Sequence, residues 1–337
     1  MKLLGKAGCM ILLALTLFSG CGETGPSEEA GELFIYSGRS QALVEPLLEK
    51  FEQDTGIRVR ARFGGTPQLA IALQEEGERS RADIFWAQDA SALGSLRDLL
   101  RPLPERVVEV IPPELRHEGR RWVATSGRAR VVAYSARRTE GKVLPETLAD
   151  LTQEKWRGRI GWAPANGSFQ SFVTAMRVLE GEDATRFWLS AMEANNPKVY
   201  PNNTSLLQGV AAGEVDLVVT NHYYLYRFQQ RDENFPVAQK HLNAGSPGNL
   251  VNYAGLGILE SSGNPEAAIA FVQWILSREV QEYFVQEVYE YPVVGDIEAL
   301  PGMLAFEEIR ELSPEINLES LEDLQGTIQL LRELDIL

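Results

Sequence analysis

The chain has 337 residues, 44% of them hydrophobic, with two cysteines and a formal net charge of −15 at pH 7. This excess of acidic residues argues against nucleic acid as a partner and against a basic membrane-binding surface. The length and the apolar content are enough for two hydrophobic cores, so we expect two lobes rather than one.

Residues 1–20 have the composition of a lipoprotein signal peptide. Two lysines precede an apolar segment that is too short to span a membrane, and small residues precede Cys21. The run L-F-S-G-C at residues 17–21 resembles a lipoprotein cleavage box, in which Cys21 becomes the lipidated first residue. The alternative is an ordinary secreted protein with a chance cysteine. We therefore expect an exported protein, lipid-anchored at the periplasmic or outer face of the cell membrane.

Cys9 lies inside the signal peptide and Cys21 would carry the lipid. The mature chain is therefore expected to have no thiol for a disulfide, a thiolate metal site or cysteine catalysis. Removal of the two lysines with the signal takes the net charge from −15 to −17. Residues 21–31 consist largely of Gly, Pro, Ser and Glu, with almost nothing to bury. They are predicted to form a flexible tether.

From residue 32 onward, short apolar strands alternate with amphipathic helices, which predicts an α/β fold with a mostly parallel sheet. One local pattern recurs: a strand, a polar loop rich in Ser, Asn or Gly, and then a helix. The predicted pairs are 33–36 with 42–53, 83–86 with 93–100, 159–162 with 169–179, residue 200 with 206–212, and 215–220 with 221–227. Each junction directs free backbone N–H groups toward one side of its sheet.

Two longer strand-like segments, residues 121–134 and 250–259, are predicted to cross between the lobes. The first lobe then comprises residues 32–126 and 255–292, and the second comprises residues 127–254 and 293–337. Because the strand-to-helix junctions are divided between two lobes, their loops are expected to face a shared ligand cleft.

The segment N-H-Y-Y-L-Y-R at residues 221–227 follows the apolar run 215–220, so it lies where a buried strand ends. Open α/β sheets bind ligands beyond the carboxyl ends of their strands. Phenolates are hard, anionic oxygen ligands that suit a trivalent cation, so Tyr223 and Tyr224 are candidate ligands of ferric iron. The alternative is that they are half-buried aromatic residues that pack a domain edge.

This segment and several motifs before it resemble the bacterial ferric-ion-binding proteins, which are the soluble receptors of iron-uptake ABC transporters. The motifs occur in the family's order as E-L-F-I-Y-S-G from residue 32, A-D-I-F-W from 82, S-G-R-A-R-V-V from 126, W-R-G-R-I-G from 156 and G-E-V from 213. The resemblance implies a type 2 periplasmic-binding-protein fold, with two lobes joined by crossover strands around a ligand cleft. It also implies delivery of Fe(III) to an ABC permease, and we expect a monomer.

In that family the two tyrosines of the motif bind iron, and they match Tyr223 and Tyr224. Many members add a histidine where this chain has Ser40 and a glutamate where it has Gln88, so the implied metal site is incomplete here. Asp89 is a candidate carboxylate ligand in their place, or an N-cap.

Other members place a third tyrosine at Phe169, so Phe169→Tyr is expected to add a third phenolate. Because two phenolates leave Fe(III) under-coordinated, we expect a synergistic anion such as carbonate, phosphate or citrate. The resemblance implies that this anion is held by the residues matching Asn166, Gly167, Ser168 and Asn203, with Asp89 at a further position. Arg39 and Arg128 are further anion-binding candidates by bidentate geometry, or else are surface charges.

Two other functions are weighed. A receptor of the same fold could bind a small organic anion such as a phosphonate or carboxylate, with the tyrosines as hydrogen-bond donors and stacking surfaces. A lipoprotein hydrolase would need a nucleophile beside a base, and Ser40, Ser126 and Ser168 have no evident histidine partner. The sequence contains no P-loop, dinucleotide-binding turn or nucleophile elbow, so we do not expect an enzyme.

Overall fold

The computed structural model describes residues 31–321 and 323–337, apart from the side chains of residues 90, 91 and 319. The predicted signal peptide, the lipidation site Cys21 and residues 22–30 of the tether lie outside the described residues and stay predictions. No helix in the described part is long and apolar enough to cross a membrane.

Strands alternate with helices along the described chain. The strands are β1 (Glu32–Ser37), β2 (Arg58–Phe63), β3 (Ile84–Ala87), β4 (Val123–Tyr134), β5 (Ile160–Trp162), β6 (Lys198–Val199), β7 (Leu217–Asn221), β8 (Ala238–Lys240) and β9 (Val251–Ile258). The α-helices are α1 (Gln41–Thr55), α2 (Thr66–Glu76), α3 (Ala90–Gly94), α4 (Glu105–Val108), α5 (Leu148–Leu151), α6 (Gly167–Glu180), α7 (Glu182–Ala194), α8 (Asn203–Ala212), α9 (Tyr223–Gln229), α10 (Pro265–Ile275), α11 (Arg278–Tyr283), α12 (Phe306–Leu312) and α13 (Leu324–Glu333). A π-helical turn, Phe284–Val288, follows α11.

The predicted helix over residues 93–100 is wrong, because α3 ends at Gly94 and a separate 3₁₀ turn spans Arg97–Leu99. Glycine is among the least favourable residues in a helix interior, which is consistent with the break at this point. The other predicted helices occur within a few residues of their expected limits.

The strands form one mixed sheet in the order β2, β1, β3, β9, β4, β7, β5, β6, with β8 paired to β4. It is parallel in its two outer parts, where β1 pairs with β2 and β3, and β5 pairs with β6 and β7. The long strands β4 and β9 are antiparallel to each other and to their outer neighbours β7 and β3. The two predicted long strands are therefore present at the centre of the sheet.

The strand register brings the carboxyl ends of the outer strands toward the middle of β4. The last residue of β3, Ala87, lies opposite Gly255, and Gly255 lies opposite Ala124 of β4. The last residue of β7, Asn221, lies opposite Arg130, also in β4. The loops that follow β3 and β7 therefore start about six residues, or roughly 20 Å, apart along β4.

The buried side chains form three hydrophobic clusters. The largest packs β1, β3 and β9 against α1 and α10, with edge-on aromatic contacts among Phe51, Trp86 and Phe271. The second cluster lies around α6 and α7, and the third lies around α8 and β7.

The predicted division into lobes stays a prediction, and the C-terminal segment packs in two places. Met303, Ile309 and Leu318 belong to the cluster built on β1 and β3, whereas Leu330 and Leu331 of α13 belong to the cluster around α6. The packing of the segment after residue 293 therefore does not follow a single lobe.

Candidate metal- and anion-binding site

The tyrosine pair lies directly after β7, at the start of the short helix α9. The backbone N–H of His222 donates to the carbonyl oxygen of Ala129 in β4 at 3.0 Å, which fixes the junction between the strand and the helix. The rings of Tyr223 and Tyr224 are stacked, with centroids 4.2 Å apart and planes at 28°. Consecutive residues of a helix point about 100° apart and do not normally face each other, so this stacked pair is an unusual arrangement.

The Tyr223 side chain is only 3% exposed, whereas Tyr224 is half-buried. Burial raises the pKa of Tyr223 well above its ordinary value, and the neighbouring Tyr224 and Glu290 act in the same direction while Arg128 opposes them. In the absence of a bound cation, the Tyr223 phenol is therefore protonated at neutral pH. A cation that binds there has to displace the proton.

Two buried arginines of β4 lie beside the tyrosines. Arg128 and Arg130 are two residues apart in a strand, so both side chains lie on one face. Arg130 donates from Nη1 to Asn221 Oδ1 at 3.2 Å and to Ser168 Oγ at 3.3 Å, and from Nη2 to the Val219 carbonyl oxygen at 3.1 Å. These acceptors are all uncharged.

The pKa of Arg130 depends on its burial and on the two neighbouring tyrosines. Burial lowers the pKa of Arg130 to about 9, and the acidic phenols of Tyr224 and Tyr223 counteract part of that effect. Burial also lowers the pKa of Arg128, against the opposing effect of Glu290. The sequence prediction missed Arg130. Its position two residues after Arg128 in an apolar strand does indicate that both side chains lie on the same face.

The predicted anion loop precedes α6 and contacts Arg130. Asn166 is the N-cap of α6, and its Oδ1 accepts from the Ser168 backbone N–H at 3.0 Å and from Ser168 Oγ at 2.6 Å. Asn203, the first residue of α8, donates from Nδ2 to Ser168 Oγ at 3.0 Å. A Cβ added at Gly167 would meet no atom within 4 Å, so this turn of backbone borders open space. The structure thus brings together the four loop residues predicted from the sequence.

The loops after β1 and β3 carry the other predicted residues. Arg39 is 1% exposed and donates from Nη1 to Gln88 Oε1 at 3.2 Å. The Gln88 carbonyl oxygen accepts from Nη2 of Arg128. Asp89 is half-buried and its charge acts on Arg128, whereas the Ser40 side chain is exposed at the start of α1. The alternative that Arg39 and Arg128 are surface charges is therefore wrong.

Glu290 is a buried carboxylate that the sequence prediction missed. Its Oε2 accepts from Arg39 Nη2 at 2.8 Å and from Ser126 Oγ. Burial raises the pKa of Glu290, but the charges of Arg39 and Arg128 outweigh this effect and the net pKa is lowered. The side chain therefore stays ionised at neutral pH and links Arg39, in the loop after β1, to Ser126 of β4.

The backbone that positions Glu290 is unusual. The π-helical turn is followed by its C-cap Tyr289, a non-glycine residue in the left-handed region with φ of 64°. Tyr291 then exchanges two backbone hydrogen bonds with Gly127 of β4, at 2.7 and 2.8 Å. Such turns occur frequently at functional sites.

Several buried donors of this site lack an acceptor in the described part of the chain. They are Nε of Arg39, Nε and Nη1 of Arg128, and Nε of Arg130. Buried polar groups are normally hydrogen-bonded, so unsatisfied guanidinium N–H groups fit a bound anion. Among the side chains that the structure describes, no group of three or more His, Cys, Asp or Glu residues could hold a metal ion.

The fold and the site define an extracytoplasmic receptor, and the chain belongs to the family of bacterial extracellular solute-binding proteins, whose model matches residues 33–290. Two similar proteins are named as ferric-iron-binding proteins. The chain is 33% identical to the major ferric iron-binding protein of Neisseria meningitidis serogroup B over 280 aligned residues. These residues cover 80% of this chain and 83% of the Neisseria protein. It is also 29% identical to the Fe(3+)-binding periplasmic protein of Serratia marcescens. That alignment spans 343 residues and covers 100% of both chains.

Solved structures support the same fold. Iron-bound HitA from Pseudomonas aeruginosa superposes with a TM-score of 0.85 at 31% identity, covering 90% of this chain and 99% of that one. The Trichodesmium protein IdiA (FutA), in complex with iron and citrate ligands, gives a TM-score of 0.76 at 26% identity, with the same coverage. The predicted type 2 periplasmic-binding-protein fold is therefore confirmed. The names of these relatives are those of binding proteins and not of enzymes.

Proposed function

We propose that this protein binds Fe(III) through Tyr223 and Tyr224, with a synergistic anion, and delivers it to an ABC permease in the membrane. The observation that carries the proposal is the stacked pair of phenols beside buried arginines, at the end of β7. Two phenolates are hard, anionic ligands that match ferric iron. The relatives named as ferric-binding proteins support the same cargo.

The anion, whether carbonate, phosphate or citrate, is proposed to lie at the start of α6. A helix N-terminus with free N–H groups binds anions, and here Ser168 and Asn203 add polar side chains. Arg128 and Arg130 contribute unsatisfied N–H groups nearby. Asp89 carries a negative charge, so it fits a contact with the metal better than a contact with the anion. Ser40, which is exposed, is not included in the proposed site.

We also propose that Cys21 carries a lipid that tethers the mature protein to the membrane. In this arrangement the receptor works beside its permease as a monomer, and closure of two lobes around the cleft captures the cargo.

The test of the ferric function is a visible absorption titration of the purified protein with Fe(III) in the presence of each anion. We expect a tyrosinate-to-iron charge-transfer band that saturates near one iron per chain. Tyr223→Phe and Tyr224→Phe should each weaken iron binding at least a hundredfold, because each removes one anionic ligand.

Tyr226→Phe is the matched control, because its hydroxyl donates to the Gly302 carbonyl oxygen and it belongs to the same helix. It should retain the band. Unchanged iron affinity in both Tyr223→Phe and Tyr224→Phe would show that the site is elsewhere. Stabilisation by an organic anion without any band would support the alternative receptor.

A further inference from the structure

A groove of about 1220 Å³ lies between two segments of the chain, apart from the tyrosine pair. One wall comes from the segment 105–120, and the other comes from α12 and the residues after it, up to Leu318. Val251 and Tyr253 of β9 also line it. The described residues around this groove include none of the proposed iron and anion site. Its volume is at the upper end for small-molecule pockets, so it can accommodate an extended ligand.

The groove is acidic. Six glutamates and three arginines line it, which gives a formal charge of −3 with histidine neutral. Arg310 pairs with Glu114 and Glu307. Arg116 and Arg120 both pair with Glu105. The lining glutamates are Glu105, Glu114, Glu118, Glu307, Glu311 and Glu315.

Two of these carboxylates are available to a ligand. Glu311 and Glu315 are both exposed. Among the described residues, no Lys or Arg side chain lies within ion-pair distance of either one. The three arginines of the groove are already paired, so the unbalanced charge that a ligand meets is negative.

Tyr253 adds an independent observation. Its side chain is only 5% exposed, yet its hydroxyl group has no hydrogen-bond partner in the described part of the chain. The charges that act on this phenol are those of Arg310, Glu114 and Glu307, which come from both walls, so the hydroxyl points into the groove. Burial raises the pKa of Tyr253, so the phenol is uncharged at neutral pH. Buried polar groups are normally hydrogen-bonded, and this one therefore fits a polar ligand in the groove.

The spread of the carboxylates favours a linear cation with several ammonium groups over a metal ion. Nowhere in the described residues do three or more His, Cys, Asp or Glu side chains come together as a metal site. Ammonium groups spaced along an alkyl chain can each donate to a different carboxylate. The alkyl segments between them can pack on the apolar side chains of the groove, which include Leu115, Ile316 and Leu318.

We propose that this groove binds a linear polyamine. Its ammonium groups donate to the carboxylates of Glu311 and Glu315 and to the hydroxyl oxygen of Tyr253. This site is additional to the proposed ferric site and does not depend on it.

The test is isothermal titration calorimetry of the purified protein with spermidine in about 0.15 M NaCl, where charges more than about 8 Å apart are screened. Putrescine, Mg²⁺ and pentalysine are the parallel arms. We expect about one spermidine per chain. Its binding should be at least tenfold tighter than that of putrescine or Mg²⁺, because spermidine carries a third cationic group and Mg²⁺ cannot reach separated carboxylates.

Variants locate the polyamine. The double variant Glu311→Gln and Glu315→Gln should weaken spermidine binding at least tenfold, and Tyr253→Phe should weaken it at least threefold while it keeps the ring. Glu333→Gln is the matched control, because this glutamate pairs with Arg186 outside the groove, and its affinity should stay within twofold. Melting temperatures identify any loss that is due to unfolding.

The outcomes are distinct. Equal affinity for Mg²⁺ and spermidine would show general attraction of counter-ions and overturn the proposal. Unchanged spermidine binding in the folded double variant would place the amine elsewhere, and binding of pentalysine without spermidine would replace the polyamine with a basic peptide. The iron charge-transfer band should be the same in all these variants, so the ferric function is tested separately.

Discussion

The two adjacent phenols illustrate how residue type and burial combine in the proposed site. Tyr223 is buried deeply enough for its pKa to rise, while the Arg128 guanidinium lies near enough to oppose part of that rise. A phenol with an ordinary pKa near 10 is already protonated at pH 7, so the empty site has no phenolate charge. Iron binding then has to release protons.

Proton release gives a direct count of the phenolate ligands. We expect about two protons to be released from the wild-type protein per iron bound at pH 7, after subtraction of the proton change of the iron chelate alone. Tyr224→Phe should release about one. Titration in weakly buffered solution with a pH indicator measures both, and a release near zero in wild type would contradict phenolate ligation.

The packing of Phe169 argues against the third phenolate that its sequence position suggests. Its ring is 3% exposed and packs edge-on against Trp162 and Phe172, inside the cluster around α6. We therefore expect Phe169→Tyr to place its hydroxyl group in an apolar core rather than to add a third phenolate.

We expect Phe169→Tyr to destabilise the protein by about 1–3 kcal/mol, which is the cost of a buried, unsatisfied hydroxyl group. Urea unfolding measures this change, and the iron charge-transfer band should keep its wavelength and intensity. A red or blue shift of the band, with unchanged stability, would show that the new hydroxyl reaches iron.

At the scale of elements, the backbone of β4 packs closely against neighbouring aromatic side chains. A Cβ added at Gly127 would lie 2.9 Å from the Tyr253 ring and 3.4 Å from Cβ of Tyr291. The same glycine exchanges two backbone hydrogen bonds with Tyr291 and lies opposite Tyr253 in the neighbouring strand β9, so the backbones of both neighbours are held in place.

Gly127→Ala should therefore destabilise the protein by about 1–3 kcal/mol through overpacking. Gly263→Ala is the control, because a Cβ there meets no atom within 4 Å. Thermal unfolding should show a lower midpoint for Gly127→Ala and little change for Gly263→Ala. Equal midpoints for the two variants would contradict the close packing at β4.

Local patterns predicted most of this architecture, because alternating strands and helices and polar loop residues are visible over short stretches. The tyrosine pair was predictable for the same reason: it directly follows an apolar strand. The role of Glu290 could not be predicted, because its partner Arg39 is 251 residues away in sequence and no local pattern marks the pair. The burial of Arg39 and Arg128 was equally hidden, since their partners come from distant loops.

At the scale of the whole molecule, two partly or fully buried imidazoles make stability depend on pH. Burial lowers the pKa of His222 to about 3 and that of His241 to about 4, whereas an unfolded histidine has a pKa near 6.5. Below pH 6.5 the unfolded chain therefore binds more protons than the folded protein. Stability is retained above this pH and is lost as the pH falls toward 4.

We expect the free energy of unfolding of the iron-free protein to fall between pH 7 and pH 5, with His241 alone contributing about 2 kcal/mol. In His241→Gln this part of the decrease should disappear, while the stability at pH 8 stays similar. Urea unfolding at the three pH values measures the difference. An identical pH dependence in wild type and His241→Gln would show that His241 has no lowered pKa.

The position of Arg128 and Arg130 on β4 has a consequence for cargo release. The first half of this strand pairs with β9 and its second half with β7, so the strand joins both parts of the sheet. Any bending of β4 changes the distance between the arginines and the loops that complete the site. Because binding and conformation are thermodynamically linked, a cargo that stabilises one curvature of β4 binds more weakly when the strand has a different curvature. If a permease changed the curvature of β4 from a distant surface, it would therefore weaken cargo binding without contacting the proposed iron site.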